Sequence, residues 1–385
     1  MTAVTTRDIL RDLIAFDTTS RNSNRPLIEY VVNYLRGYGI EPLLIWNGER
    51  TKANLWATIG PDIAGGVILS GHTDTVPVDG QAWESDPFIL MERDGKLFGR
   101  GTCDMKGFLA SALALVPKLR QSEMRRPLHL AFSYDEEIGC VGVVSLVEHL
   151  RDAPTKAAWC LVGEPTDMRP VIGHKGGSSY RVSIAGREAH SSLAPQAVNA
   201  ISHAAEFIVF LNSIGEKMRL GPTDPLYDVN HSTLSVGLID GGSAINIVPR
   251  TCEFVFEYRY LRGIDPDAIF AKVKSFADNK LLPRMRSIAP ESNIVFEKNY
   301  AYPGFEIDPD DVVVARVKAW VGSNTESKVA YGTEAGHFST ILDMPTIVCG
   351  PGSIIQAHRP DEFVARSQME ACDQLLDNIR NNYCC

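Results

Sequence analysis

The sequence predicts an α/β protein, a mainly parallel sheet layered between helices, with an inserted α+β domain of ferredoxin-like order. Short apolar runs alternate with segments of helical period over the first part of the chain. The middle part changes to the order β-α-β-β-α-β, and the α/β alternation resumes after about residue 303. The expected boundaries are 1–175 and 303–385 for a larger, discontinuous domain and 176–302 for the insert.

Each element has a local signal. Ile9, Leu10, Leu13 and Ile14 recur at helical spacing, as do Leu27, Ile28, Val31, Val32 and Leu35, with Gly37 and Gly39 as stop signals. Gly66 to Ser70 is a short apolar run, the mark of a buried strand. Phe108 to Leu119 reads as a helix; Leu128 to Tyr134 and Ala158 to Val162 read as strands separated by a helix around Val143 to Leu150. In the insert, Ser179 to Ala185 alternates as a half-buried strand should. A helix around Val198 to Leu211 and strands Ser232 to Ile239 and Thr251 to Arg259 follow. Asp265-Pro266 opens a helix to about Ala277, proline being suited to a first turn, and Asn293 to Lys298 is the last strand of the insert. A helix near Val312 to Val321 and a strand at Pro345 to Cys349 complete the larger domain.

Charge and composition exclude several classes. Acidic side chains number 47 and basic ones 38, a formal charge of −9 with no basic stripe interleaved with aromatics. That argues against nucleic acid or an anionic membrane as partner. With 44% hydrophobic and 22% charged residues, the chain is neither fibrous nor largely disordered. No apolar run reaches the roughly 18 residues of a membrane span. Arg7, Asp8, Arg11 and Asp12 break up what would be the apolar centre of a secretory signal. The eight cysteines form no CxxC pair, and Cys384 and Cys385 stand at an end expected to fray. Reduced thiols in a cytoplasmic enzyme are the expectation.

Polar residues gather just past the ends of the expected strands. Val67 to Leu69 leads into Gly71-His72-Thr73-Asp74, and the strand ending at Tyr134 leads into Asp135-Glu136-Glu137. Leu161-Val162 leads into Gly163-Glu164-Pro165, and Ile347 to Cys349 leads into the loop carrying His358. Ligands bind outside the carboxyl ends of strands in open α/β sheets, so four strands delivering His or Glu to one edge form a constellation. Singly, each has a bland alternative. His72 is a satisfied histidine, Asp135-Glu136-Glu137 a solvated acidic turn, Glu164-Pro165 a plain turn and His358 a surface residue. Asp104, in Gly99-Arg100-Gly101-Thr102-Cys103-Asp104-Met105-Lys106-Gly107, would by itself be a helix cap. Jointly they favour function. Two histidines and several carboxylates without cysteine suit Zn²⁺, Co²⁺ or Mn²⁺. Five donors exceed one tetrahedral site, and two metals sharing a carboxylate would use them all.

These motifs resemble the metallopeptidase family that includes aminoacylases, glutamate carboxypeptidases, succinyl-diaminopimelate desuccinylase and acetylornithine deacetylase. Its two signatures match Ser70-Gly71-His72-Thr73-Asp74-Thr75-Val76-Pro77 and Gly99-Arg100-Gly101 through Asp104-Met105-Lys106-Gly107, and the likeness runs in order from about residue 5 to 375. The resemblance implies a zinc-peptidase-like α/β/α catalytic domain and an inserted dimerisation (lid) domain, hence a homodimer, with two Zn²⁺ or Co²⁺ per subunit. It implies that His72, Asp104 and Glu164 hold one metal and that Glu137, Asp104 and His358 hold the other, Asp104 bridging. Asp74 would orient His72, and Glu136 would be the general base for a metal-bridging water. The bond after Asp104 is expected to be cis. His190, in Arg187-Glu188-Ala189-His190-Ser191-Ser192, would stabilise the oxyanion in the partner's site, and Asn246 and Arg259 would bind substrate.

The stretch Tyr331-Gly332-Thr333-Glu334-Ala335-Gly336 carries a charge where desuccinylases of the family carry small hydroxyl and glycine residues. Glu334 is therefore expected to contact a cationic side chain, and Thr333-Glu334-Ala335 resembles the acetylornithine deacetylases. The expected reaction is deacetylation of N2-acetyl-L-ornithine in arginine synthesis. The alternatives within the family are succinyl-diaminopimelate desuccinylase, a general N-acyl-amino-acid hydrolase or a dipeptidase. From another class, a non-catalytic dimeric binding protein would have lost ligands, and none is lost. A nicotinamide oxidoreductase lacks its GxGxxG fingerprint. Cys103 and His337 receive no role.

Overall fold

The computed structural model describes residues 4–153 and 157–385, so positions 1–3 and 154–156 of the expected larger domain lie outside the described residues. The chain divides into two compact units: one runs up to His174 and from Phe305 onward, the other is Lys175–Gly304.

The first unit opens with α1 (Thr6–Ile14), started by a capping box in which Thr5 and Asp8 satisfy each other's backbone N–H. Its apolar stripe is fully buried, as is that of α2 (Arg25–Arg36). Helix α2 closes on Gly37 in right-handed geometry, and the chain turns at Gly39, whose φ is +71°. Strands β1 (Leu43–Trp46), β2 (Ala53–Ile59) and β3 (Val67–His72) follow, then a small hairpin of β4 (Met91–Arg93) and β5 (Lys96–Phe98). Helix α3 (Gly107–Arg120) is apolar on nearly every side because it is covered nearly all round. Strand β6 (Leu128–Ser133), helix α4 (Val143–Arg151) and strands β7 (Trp159–Pro165) and β8 (Val171–His174) complete the first stretch.

The second unit contains β9 (Gly176–Ala185), α5 (Ala200–Arg219), β10 (Thr233–Gly241), β11 (Thr251–Tyr260), α6 (Pro266–Phe276), α7 (Leu282–Ile288) and β12 (Asn293–Tyr302). Its sheet has the order β10-β11-β9-β12, antiparallel throughout. Alternate residues Tyr180, Val182 and Ile184 of β9 and Phe254, Phe256 and Tyr258 of β11 pack under the helices. The two largest overruns of an expected end are here. Helix α5 passes Gly215 because Ile214 and Met218 continue the face of Leu211 at helical spacing. Strand β12 continues to Tyr302 beyond a bulge at Asn299.

Returning to the first unit, the chain forms β13 (Phe305–Glu306), α8 (Val312–Val321), β14 (Ser327–Val329), α9 (Ala335–Ile341), β15 (Thr346–Gly350), β16 (Phe363–Ala365) and α10 (Arg366–Ile379). The main sheet has the order β1-β2-β6-β3-β7-β15-β8-β13, with β14 beside β8. Its centre, β6-β3-β7-β15, is parallel, whereas β1, β2 and β13 pair antiparallel at the flanks. Each central strand is buried along its whole length, which explains the continuous apolar runs. The chain end is a correction. Cys384 is buried, its carbonyl accepts the backbone N–H groups of Arg125 and Arg126, and Tyr383 packs edge-on against Trp159. No cysteine among the described residues is in a disulfide. No helix of the described residues is long and apolar enough to cross a membrane.

Candidate metal centre

The site lies in the first unit, at the carboxyl ends of β3, β6, β7 and β15. His72 ends β3, and Asp135-Glu136-Glu137 begins two residues after β6. Glu164 is the penultimate residue of β7, and His358 follows β15. Asp104 arrives separately. Gly99 and Gly101, with φ of +153° and +85°, bend the backbone, and the Asp104–Met105 peptide is cis. Lys106 caps α3, so Asp104 is not the capping residue that its position before a helix suggested. Its carboxylate instead faces a histidine with each oxygen. His72 Nε2 is 3.1 Å from Oδ1, and His358 Nε2 is 3.3 Å from Oδ2.

The other donors close around this pair. His358 Nε2 is 3.0 Å from Glu137 Oε2, and His72 Nε2 is 3.8 Å from Glu164 Oε1. Donor atoms of His72, Asp104 and Glu137 lie within 4.8 Å of one another, as do those of His72, Glu136 and Glu164. Zn–ligand bonds of about 2.0–2.1 Å place tetrahedral donors about 3.3 Å apart, so these spacings suit a metal. Two further observations fit metals here. Glu137 Oε1 and Glu164 Oε1 are buried with no hydrogen-bond partner. The leading charges acting on Glu136, Glu137 and Glu164 are one another, Asp104 and the histidines, with no lysine or arginine among them. Cations are what such a cluster lacks.

Protonation in the metal-free protein follows the same logic. Burial pushes Glu136 up to about 8 and Glu137 up to about 7, with neighbouring carboxylates adding to it. Burial would likewise raise Asp104, yet the hydrogen bonds of His358 and His72 hold it below the usual carboxylate range. Hydrogen bonding to Asp104 and Glu137 lifts His358 to about 10. Burial opposes the charge on His72, but Asp104 and Asp74 keep it well above the ordinary histidine value.

Asp74 orients more than His72. His72 Nδ1 donates to the Asp74 carbonyl at 2.9 Å, with Asp74 Oδ1 at 3.4 Å. The Asp74 carboxylate also accepts the backbone N–H groups of Glu136 at 3.1 Å and Glu137 at 3.3 Å, and the Ser20 hydroxyl at 2.7 Å. One side chain thus sets a ligand and the acidic pair together. Asp135 turns away to pair with Lys52 at 2.5 Å. Sequence reasoning missed Ser20, and also Cys140, whose thiol donates to Glu136 Oε1 at 3.1 Å. The only signal for Cys140 was its place four residues after Glu136. Cys103 is buried with its thiol pKa pushed up, in keeping with the absence of a covalent role.

Glu334 is a correction. It is fully buried, and its carboxylate accepts the hydroxyls of Ser70, at 2.8 Å, and of Ser133. Both oxygens are occupied beneath the ends of β3 and β6. The carboxylate therefore does not face a ligand, and among the described residues it pairs with neither a lysine nor an arginine. Its influence is electrostatic, acting with the opposite sign on His72.

His190, Asn246 and Arg259 belong to the second unit. His190 and Asn246 are exposed and share one loop pair, where Ser191 N–H donates to the Asn246 carbonyl at 2.9 Å. His190 Nδ1 accepts the Ser192 N–H at 3.3 Å, which assigns the ring proton to Nε2 in the neutral form. Arg259 stands on β11, with Nε 3.3 Å from Glu257 and Nη1 donating to the Tyr302 hydroxyl at 3.3 Å.

Two histidines and four carboxylates converging at the ends of parallel strands define the class, a metal-dependent hydrolase. The chain belongs to peptidase family M20/M25/M40, whose model matches residues 68–381. It is 34% identical over 363 residues to an acetylornithine deacetylase of Pasteurella multocida, covering 94% of this chain and 92% of that one. Among solved structures, an M20 family metallo-carboxypeptidase of Sulfolobus solfataricus superposes with a TM-score of 0.79 at 18% identity, covering 97% of this chain and 98% of that one. A dinuclear metal binding peptidase of the family from Bacillus subtilis superposes at 0.65 and 15% identity, covering 97% and 96%.

Proposed function

We propose that this chain is a dinuclear amidohydrolase that converts N2-acetyl-L-ornithine and water to L-ornithine and acetate. The observation that carries the chemistry is Asp104 presenting one oxygen to each histidine, with Glu136 alongside. His72, Asp104 and Glu164 would hold one cation, and Asp104, Glu137 and His358 the other, as Zn²⁺ or Co²⁺, two per subunit. Bound there, such cations polarise an acyl carbonyl and make water more acidic. Glu136 takes a proton from the attacking water as its oxygen bonds to the acetyl carbon. The same carboxyl then gives that proton to the departing α-amine as the C–N bond breaks, leaving acetate. A group lifted toward neutrality by burial serves both steps. Asp74 holds His72 and the Glu136 backbone in register for this exchange.

With Glu334 buried, the choice of ornithine over a succinylated substrate rests on the relatives. The second unit is proposed as the lid and dimerisation domain of a cytoplasmic homodimer serving arginine synthesis. Its edge strand β10 has only β11 beside it and carries Leu238 and Ile239, more than half exposed, which supports pairing of two copies. His190 would donate an Nε2–H hydrogen bond to the oxyanion in the other copy's site, and Asn246 and Arg259 would bind substrate. The test is acetate release from N2-acetyl-L-ornithine by metal-loaded and chelator-stripped protein, with N-succinyl-diaminopimelate in parallel. Metal-dependent turnover of the acetyl compound alone is expected. Turnover of the succinyl compound instead would keep the chemistry and replace the substrate.

A further inference from the structure

Glu362 is a buried carboxylate to which the reaction assigns no part. Its Oε1 accepts the backbone N–H groups of Cys103 at 3.0 Å and Asp104 at 3.2 Å. Its Oε2 accepts the Gly101 N–H at 3.0 Å and Arg100 Nη1 at 2.6 Å. Four donors from the Asp104 loop therefore converge on one side chain. Asp104 and Met105 depart from helical dihedral angles and Gly101 is left-handed, so regular backbone bonding is interrupted there and the Glu362 carboxylate takes up the freed N–H groups. The Glu362 carbonyl adds a fifth tie by accepting the Gly99 N–H at 2.9 Å.

The same residue ends the loop that carries His358. Arg100, held by Glu362, reaches Gln81 Oε1 at 2.6 Å, and Gln81 Nε2 donates to the His358 carbonyl at 3.1 Å. His358 itself sits at φ +63°, in the sparsely populated left-handed region. Two ligands from loops about 250 residues apart in sequence are thus set against each other through one carboxylate and its arginine.

We infer that Glu362 is a positioning residue, fixing Asp104 relative to His358 and so determining the affinity of the cation those two would share. The inference rests on the metal-centre reading above. Glu362→Gln keeps the shape but turns one acceptor into a donor facing donors, so either the Arg100–Gly101 pair or the Cys103–Asp104 pair of contacts is lost. Gln81→Ala acts on the same link from a half-exposed position and spares the buried pair.

The experiment is titration of the metal-free full-length protein with Co²⁺, followed by visible absorption and calorimetry. The native protein is expected to take two equivalents. In Glu362→Gln one equivalent weakens by about 10- to 100-fold with an altered cobalt spectrum, while the other changes less. Gln81→Ala shows the same selectivity with a smaller shift. A merely structural role would lower thermal stability without singling out one equivalent. Native affinity for both equivalents in a folded Glu362→Gln protein overturns the inference. If that variant does not fold, native affinity in Gln81→Ala overturns it. Failure of the native protein to bind two equivalents would instead overturn the metal-centre reading itself.

Discussion

The two units hold their functional residues in opposite ways. In the first, His72, Asp74, Asp104, Glu164 and Glu334 are all buried, and the exposed His358 is held against Asp104 and Glu137. In the second, His190 and Asn246 are exposed and are held only within their own loop pair. The first arrangement is assembled before a ligand arrives, which is what directional chemistry at a metal requires. The second keeps polar atoms available to something outside its own unit. The lesson is that the burial of a polar residue reports which part of a reaction is preorganised and which part is brought to it.

The largest effect that sharpens this contrast is expected from Glu136→Gln. Its kcat should fall by about 100- to 10,000-fold, with two metals still bound by elemental analysis. Loss of a metal equivalent would instead make Glu136 a ligand, since it lies in one donor group with His72 and Glu164. His190→Ala should cost about 100- to 1,000-fold in kcat with metal content and thermal midpoint unchanged. Full turnover in that variant would break the comparison by removing the second unit from the chemistry.

Proton release tests the preorganised side. Both histidines lie above their ordinary pKa in the metal-free protein, and His358, at about 10, is protonated at pH 8. Metal binds neutral imidazole, so loading at pH 8 should release at least the His358 proton, with buried carboxyls such as Glu164 adding to the count. Apparent affinity should then rise with pH until His358 has titrated. Calorimetry in two buffers of different ionisation enthalpy measures the count, and no release would mean that the histidines are neutral before loading. Glu334→Gln should leave KM for a cationic substrate unchanged and alter turnover through His72 alone. A raised KM would restore direct contact. The smallest effect belongs to the surface of the second unit. Arg284→Ala breaks an exposed pair with Glu206, and denaturant titration should show a loss of about 0.2–1 kcal/mol.

Much of the fold was legible because its signals are local. The spacing of Ile9, Leu10, Leu13 and Ile14, the Asp265-Pro266 helix start and the buried runs of the central strands each lie within one element. The convergence of His72, Glu137, Glu164 and His358, though not of Asp104, was legible for a related reason. Parallel strands end on one edge of the sheet, so residues just past several strand ends meet without any knowledge of their side-chain contacts. The limits of α5 and β12 were not, because Ile214 and the bulge at Asn299 take their meaning from the partner they pack or pair with.

What the sequence determined by itself is therefore the order of elements, the two-part division and the chemical character of the site. The tertiary structure alone decided which polar residues face one another. Glu334 looked like a ligand-facing charge until Ser70, 264 residues away, took one of its oxygens. Glu362 received no reading from the sequence, and its role emerges only where Arg100, 262 residues away, and the Asp104 backbone close around it. The physical reason is that a buried carboxylate must find partners wherever the fold brings donors, and separation along the chain carries no information about that.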